Sequence, residues 1–153
     1  IYETREGLDA DAQKFLVYWQ PVLMLQDWKI VLEVVEKPSS DNKNTIATTN
    51  FNKAQEAVIQ VWEDFWLGTR KVNIADKPKF QDLEETVVHE LVHIRQSKVD
   101  TFYGPAVDAS MGYLMRKEVF EANELFIDLL AKAFVGLKRS FGASLVARDE
   151  RSR

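Results

Sequence analysis

Cysteine is absent from this chain of 153 residues, and histidine occurs only twice. The lack of cysteine excludes disulfide bonds and thiolate ligands, so a bound zinc ion would need histidine and carboxylate ligands. Long hydrophobic runs are missing as well, since no apolar stretch approaches the roughly 18–20 residues of a membrane span. The sequence therefore predicts no membrane partner. A chain without cysteine and without a recognisable signal peptide is expected in the cytoplasm.

Basic residues are the minority among the charged ones. The 20 Lys and Arg residues against 24 Asp and Glu residues give a formal net charge of -4 and a sequence pI of about 5.3. This acidic balance argues against nucleic acid as the main partner. Hydrophobic residues make up 46% of the chain, which is enough for a sizeable core. Because no linker or repeat interrupts it, the chain is expected to form a single domain over residues 1–153.

The hydrophobic pattern predicts an α+β domain. An N-terminal helix is expected over residues 8–26, and a small twisted sheet of about three strands should follow it. The short link between the second and third strands predicts an antiparallel hairpin. The predicted strands are Trp28–Val35, Thr45–Asn52 and Ala57–Trp62.

Two further helices are predicted in the second half of the chain. Asp82 can cap the first of them, with Glu85 as its capping-box partner. Gly104, Pro105 and Gly112 then predict that Lys98–Leu114 is mostly loop. The second, a long helix, is expected over 115–138, and a frayed tail over about 143–153.

The most informative motif is His89-Glu90-Leu91-Val92-His93, which reads H-E-x-x-H and uses both histidines of the chain. Residues four apart lie on the same face of a helix, so His89 and His93 can bind one ion. Glu90 would then lie close enough to act as a general base without itself binding the metal. Two neutral ligands beside a base are what a zinc hydrolase needs.

A catalytic zinc site usually has three protein ligands, and the third must here be a carboxylate. The long helix offers four acidic residues, of which Glu124 is the preferred ligand and Glu121, one turn earlier, the alternative. Glu124 and Asp128 form the pattern N-E-x-x-x-D and share a helix face. Asp128 can accept the second ring N–H of a ligating histidine, which orients the imidazole.

H-E-x-x-H followed by N-E-x-x-x-D on a later helix resembles the gluzincin zinc metallopeptidases, the thermolysin-like family. The stretches Leu83–Val88 and Leu129–Ala131 are also similar to small single-domain members, including some encoded by phages and other mobile elements. The resemblance implies a zincin-like fold. It also implies Zn²⁺ held by three ligands, a general base and an acidic partner of a histidine: His89, His93 and Glu124, Glu90, and Asp128.

The resemblance further implies hydrolysis of peptide bonds in a peptide or protein substrate. Zinc would lower the pKa of its bound water from about 15.7 toward about 7, and Glu90 would accept the proton. The chain lacks a second downstream histidine to stabilise the oxyanion. A tyrosine or a backbone N–H could take that role, and Tyr103 and Tyr113 are the candidate side chains. The peptide is expected to add to a sheet edge, formed by Ala57–Trp62 or by Val72–Ile74.

Two other functions fit parts of the pattern. A zinc-stabilised regulatory or binding module could keep a peptidase-like fold without activity, although structural zinc does not need the base Glu90. An SprT-like, DNA-associated protease also uses H-E-x-x-H. The acidic composition and the absence of a basic stripe argue against that alternative.

Overall fold

The computed structural model describes residues 2–36, 46–69, 82–110 and 112–151, with side chains throughout except at 98–110, 113–115 and 143–151. These residues form an α+β fold with four helices and one three-stranded mixed sheet, as the sequence pattern predicts. The helices are α1 (Arg5–Val22), α2 (Glu63–Trp66), α3 (Leu83–Ser110) and α4 (Tyr113–Arg151). The strands are β1 (Lys29–Val35), β2 (Ala47–Phe51) and β3 (Glu56–Trp62).

Helix α1 begins one turn earlier than the hydrophobic pattern predicts. The side chain of Thr4 accepts a hydrogen bond from the backbone N–H of Gly7 at 3.1 Å, which caps the helix at its N-terminus. Pro21 lies in the last turn, and the helix ends at Val22. Met24 then has a φ of 58°, the left-handed conformation with which many helices end and the chain changes direction. This reversal leads the chain directly into β1.

Strand β3 is the central strand of the sheet. It pairs in parallel with β1 and antiparallel with β2, so the predicted hairpin is confirmed. The side chain of Asn52 accepts hydrogen bonds from the N–H groups of Ala54 (2.9 Å) and Glu56 (3.2 Å), and Gln55 has a φ of 60°. These local bonds fix the turn and therefore the register of the hairpin.

The prediction that Ala57–Trp62 forms the sheet edge is wrong, because β3 has a hydrogen-bonded neighbour on each side. The alternative edge, Val72–Ile74, lies outside the described residues. Among the described strands, the order β1-β3-β2 instead puts β1 and β2 at the two edges. The central position of β3 is not evident from its own residues, because its parallel partner β1 is distant in sequence. Hydrophobic alternation carries no information on such pairing.

Helix α3 is much longer than predicted. It continues through Gly104 and Pro105 to Ser110, where mostly loop was expected. A proline removes one helical hydrogen bond, but a helix can pass through it with a bend rather than stop. Tyr103 therefore lies on α3 and Tyr113 is the first residue of α4, so neither belongs to the predicted loop.

Helix α4 is also longer than its predicted range of 115–138. It extends as far as Arg151, so much of the segment predicted to be a frayed tail, about 143–153, is helical. One face of α4 packs on α3 through Ile127, Ala131 and Val135, each 0% exposed. Burying such apolar side chains contributes roughly 1.5–3 kcal/mol for each large one. The packing of α4 against α3 sets the relative position of the two predicted metal helices.

The core lies between the sheet, α1 and α3. Ile59 and Val61 on the sheet, Leu8 on α1, and Val87 and Leu91 on α3 are each 0% exposed. All four tryptophans are buried as well: Trp19, Trp28, Trp62 and Trp66. In the described parts of the chain, no helix combines the length and the apolar character needed to cross a membrane.

Candidate metal centre

Helix α3 presents the H-E-x-x-H motif from its second turn onward. The side chain of Asp82 accepts a hydrogen bond from the N–H of Glu85 at 2.8 Å, which confirms Asp82 as the cap of this helix. Val88 and Leu91 are each 0% exposed and hold the helix in the core. His89 and His93 project from the face that packs against α4, because residues four apart share one side of a helix.

Glu124 of α4 contacts both histidines. Its Oε2 is 3.3 Å from Nε2 of His89, and its Oε1 is 3.1 Å from Nε2 of His93. The two Nε2 atoms are themselves 3.0 Å apart. One ligand atom from each of these three residues lies within 4.8 Å of the other two. The structure thus brings together the three predicted ligands.

These separations suit a tetrahedral ion. Ligand atoms about 2.0–2.2 Å from a tetrahedral zinc ion lie roughly 3.4 Å from one another, close to the separations of these atoms. Two imidazoles and one carboxylate are also a donor set that zinc accepts. The three side chains are 12%, 23% and 31% exposed for His89, His93 and Glu124, so an ion can reach them. The residues present therefore fit a zinc ion.

Asp128 contacts His89 on the side away from Glu124. Its Oδ1 lies 2.7 Å from Nδ1 of His89, although the ring N–H does not point straight at the oxygen. A carboxylate at this position favours the tautomer with its proton on Nδ1. The lone pair of Nε2 is then free to face Glu124 and His93. Asp128 therefore occupies the place predicted for the partner of a ligating histidine.

The side chain of Glu90 reaches the sheet. The residue is 6% exposed, and its Oε2 accepts a hydrogen bond from the hydroxyl of Thr49 on β2. Burial raises the pKa of Glu90, and this outweighs the lowering effects of His89, Thr49 and His93. A carboxylate with a raised pKa is better suited to accept and return a proton near neutral pH.

The electrostatics of the site favour positive charge. Burial raises the pKa of Glu124, but hydrogen bonds with His89 and His93 outweigh burial and lower the pKa to about 2. Burial lowers the pKa of His89, yet the hydrogen bond with Glu124 and the charges of Glu90 and Asp128 raise it overall. Without a metal, these carboxylates therefore favour a proton on His89.

Glu121, the alternative ligand, lies outside this group. Its carboxylate is 63% exposed and lies 3.9 Å from the ammonium of Lys117, one turn earlier on α4. Glu118 is exposed too. The side chains of Tyr103 and Tyr113 lie outside the described residues, so their role as oxyanion donors stays a prediction.

Thr49 is the contact that the sequence prediction missed. A threonine in a strand is ordinary, and no local pattern links β2 to a helix that lies far along the chain. One signal was present: Thr49 is two residues from Ala47, which is 6% exposed, and residues two apart share a face of a strand. A hydroxyl on the buried face of a strand needs a hydrogen-bond partner.

Comparisons with protein-family models, curated proteins and solved structures found no match to this chain. The class of protein is therefore inferred from the chemistry and geometry of the site.

Proposed function

We propose that this chain is a zinc metallopeptidase with a zincin-like fold, similar to the gluzincins. The proposal rests on one observation: His89, His93 and Glu124 converge beside Glu90, a buried glutamate that is not one of the three candidate ligands. A purely structural zinc site has no need of a base. The position of Glu90, one residue from a ligand and held by a separate strand, supports a hydrolytic role.

His89, His93 and Glu124 would hold the ion, and Asp128 would orient the imidazole of His89. When bound, zinc would act as a Lewis acid that lowers the pKa of water and polarises the scissile carbonyl. Glu90 accepts a proton from the attacking water and passes it to the amine of the leaving peptide. Its raised pKa eases the first of these transfers, because it makes the carboxylate a stronger base.

The substrate we propose is a peptide or protein segment in extended conformation. Strand β2 is an edge strand among the strands that the structure describes, and its residue Thr49 contacts Glu90. A peptide that adds to this edge would receive main-chain hydrogen bonds and lie next to the base. This assignment replaces β3, which has no free edge, as the binding strand.

The proposal is tested first by metal content, measured by elemental analysis after dialysis. The wild-type chain should retain about one zinc ion, and Glu124→Ala should lose it. Glu121→Ala is the matched control, because it removes an exposed carboxylate from the same helix one turn away. Loss of zinc in Glu121→Ala with retention in Glu124→Ala would overturn the ligand assignment.

Hydrolysis is tested next with a mixture of unstructured peptides. The zinc-loaded wild-type chain should cleave them, and Glu90→Gln should keep its zinc while the rate falls by about 10²–10⁴-fold. Full activity in Glu90→Gln would overturn the mechanism. A wild-type chain that binds zinc and cleaves no peptide would instead point to a zinc-stabilised binding module.

A further inference from the structure

Thr49 faces α3 from the edge strand β2. It pairs with Ile59 of β3, which is 0% exposed, and shares its face of the sheet with Ala47. Thr48, the preceding residue, pairs with Gln60 and lies on the opposite face. The two neighbouring threonines are thus similar in chemistry but differ in the face they occupy.

The hydroxyl of Thr49 is directed at one oxygen of Glu90. It donates a hydrogen bond to Oε2, and a carboxylate has a second oxygen, Oε1, for proton transfer. A glutamate side chain has several rotatable bonds, and fixing one carboxylate oxygen removes much of that freedom. The bond therefore holds the carboxylate in one orientation beside His89 and His93.

The backbone of Thr49 faces the free side of the same strand. At one end of the hairpin, Ile46 C=O accepts from Trp62 N–H at 3.1 Å, and at the other Asn52 N–H donates to Glu56 C=O at 3.0 Å. Antiparallel strands alternate these bonds, so even-numbered residues of β2 direct their N–H and C=O groups toward β3. Odd-numbered residues, Thr49 among them, direct theirs away from β3, to the edge that no described strand covers.

We propose that Thr49 is a positioning residue that couples the bound peptide to the general base. Its backbone N–H and C=O would pair with the added peptide strand, while its hydroxyl holds Glu90 in the orientation for proton transfer. The inference rests on the proposed peptidase function and deepens it. A peptide that pairs at this position is placed next to the base by one residue that contacts both.

Three variants of the zinc-loaded chain test this role. Thr49→Val removes the hydroxyl at nearly constant volume, and Thr49→Ser keeps it. Thr48→Val makes the same change one residue away on the opposite face. Thr49→Val should lower kcat by about 10- to 100-fold, the loss expected when a hydrogen bond to a charged group is removed. KM and zinc content should change little, because the backbone and the metal ligands are untouched.

Thr49→Ser should recover kcat to within about threefold of wild type, since a charge-assisted hydrogen bond can re-form. Thr48→Val should match wild type. Equal activity in Thr49→Val and wild type would overturn the inference, and so would equal impairment in Thr49→Val and Thr49→Ser. If Thr49→Val does not fold, Thr49→Ala takes its place in the comparison with Thr49→Ser.

Two different results would separate the role of Thr49 from the peptidase function of the chain. An active wild-type chain whose kcat is insensitive to Thr49→Val overturns the role of Thr49 alone. A zinc-loaded wild-type chain that cleaves no peptide overturns the peptidase function, and the coupling role falls with it.

Discussion

Helices α3 and α4 meet at two polar clusters that differ in how their charges are balanced. One is the candidate metal centre. The other, which we call the charged clamp, consists of Asp82 and Glu84 from the start of α3 with Lys138 and Arg139 from α4. Because Glu84 pairs with Lys138 while His93 pairs with Glu124, the two helices run antiparallel. The apolar residues Ala131 and Val135 separate the clusters along α4.

The charged clamp neutralises itself. Glu84, whose side chain is 6% exposed, contacts Lys138, accepts from Trp19 Nε1 at 2.8 Å and lies 3.3 Å from Arg139. Arg139 also lies 2.7 Å from Asp82. Two carboxylates thus face two permanent cations, and the buried carboxylate has the hydrogen bonds that its burial requires.

The charges of the candidate metal centre are balanced differently. Its carboxylates, Glu90, Glu124 and Asp128, surround two histidines that carry no charge unless they are protonated. Among the ion pairs of the described residues, neither Glu90 nor Glu124 contacts a lysine or an arginine. We propose that the charged clamp joins the two helices, whereas a divalent ion would supply positive charge at the candidate metal centre.

The effect of zinc on stability should distinguish the two clusters most clearly. At 100 times its dissociation constant, zinc should raise the free energy of unfolding of wild type by about 2.7 kcal/mol. Glu124→Ala should lose this response, while Lys138→Met, a change in the charged clamp, should keep it. Denaturant unfolding with and without zinc measures the response. Loss of the zinc response in Lys138→Met would show that the clusters are not independent.

Asp128→Asn should weaken zinc binding by about 10–100-fold without abolishing it. The amide is nearly the same size as the carboxylate, but it lacks the negative charge that attracts the ring N–H of His89. Competition with a chelator of known affinity measures the change. The matched control is Glu121→Gln, on the same helix, which should bind zinc as wild type does. An unchanged affinity in Asp128→Asn would contradict the role assigned to Asp128.

Lys138→Met should lower the free energy of unfolding by about 1.5 kcal/mol, because it removes a charged hydrogen bond from the buried Glu84. The loss should be modest, since Arg139 and Trp19 still contact that carboxylate. The methylene stem of the substitute can keep the packing against Tyr18, whose ring centre lies 4.1 Å from the lysine Nζ. Urea unfolding in the presence of chelator measures it. A more stable variant would contradict the assigned role.

The charged clamp should also weaken in acid. Burial raises the pKa of Glu84, but hydrogen bonds from Lys138, Trp19 and Arg139 together lower it below the ordinary value of 4.5. A lowered folded-state pKa gives stability that is complete above 4.5 and is lost as pH falls through the folded value. The stability difference between wild type and Lys138→Met should therefore narrow below about pH 4.5. A difference independent of pH would contradict this.

The sequence predicted what depends on local spacing. His89 and His93 are four residues apart on one helix, and Glu124 and Asp128 are four apart on another, so periodicity alone placed each pair on one face. The α+β class followed from the same patterns. The zincin-like fold and the peptidase activity remain proposals.

What the sequence did not predict depends on pairing between distant segments. Strand β3 is central because it also pairs in parallel with β1. That pairing cannot be predicted from the hydrophobic alternation of either strand. Thr49 and the charged clamp were missed for the same reason, since each joins side chains far apart in the chain. Gly104 and Pro105 predict a helix end because of their average preferences, and a single sequence does not contain the tertiary context that lets α3 continue through them.

The two histidines have a consequence for spectroscopy. Both lie in the candidate metal centre, so all four imidazole nitrogens of this chain belong to one site. A ¹⁵N spectrum of histidine-labelled protein contains no imidazole signals from elsewhere in the chain. Each ring nitrogen shifts by a different amount when it is protonated, deprotonated or bound to a metal. The occupancy and tautomers of the centre can therefore be read from four resonances.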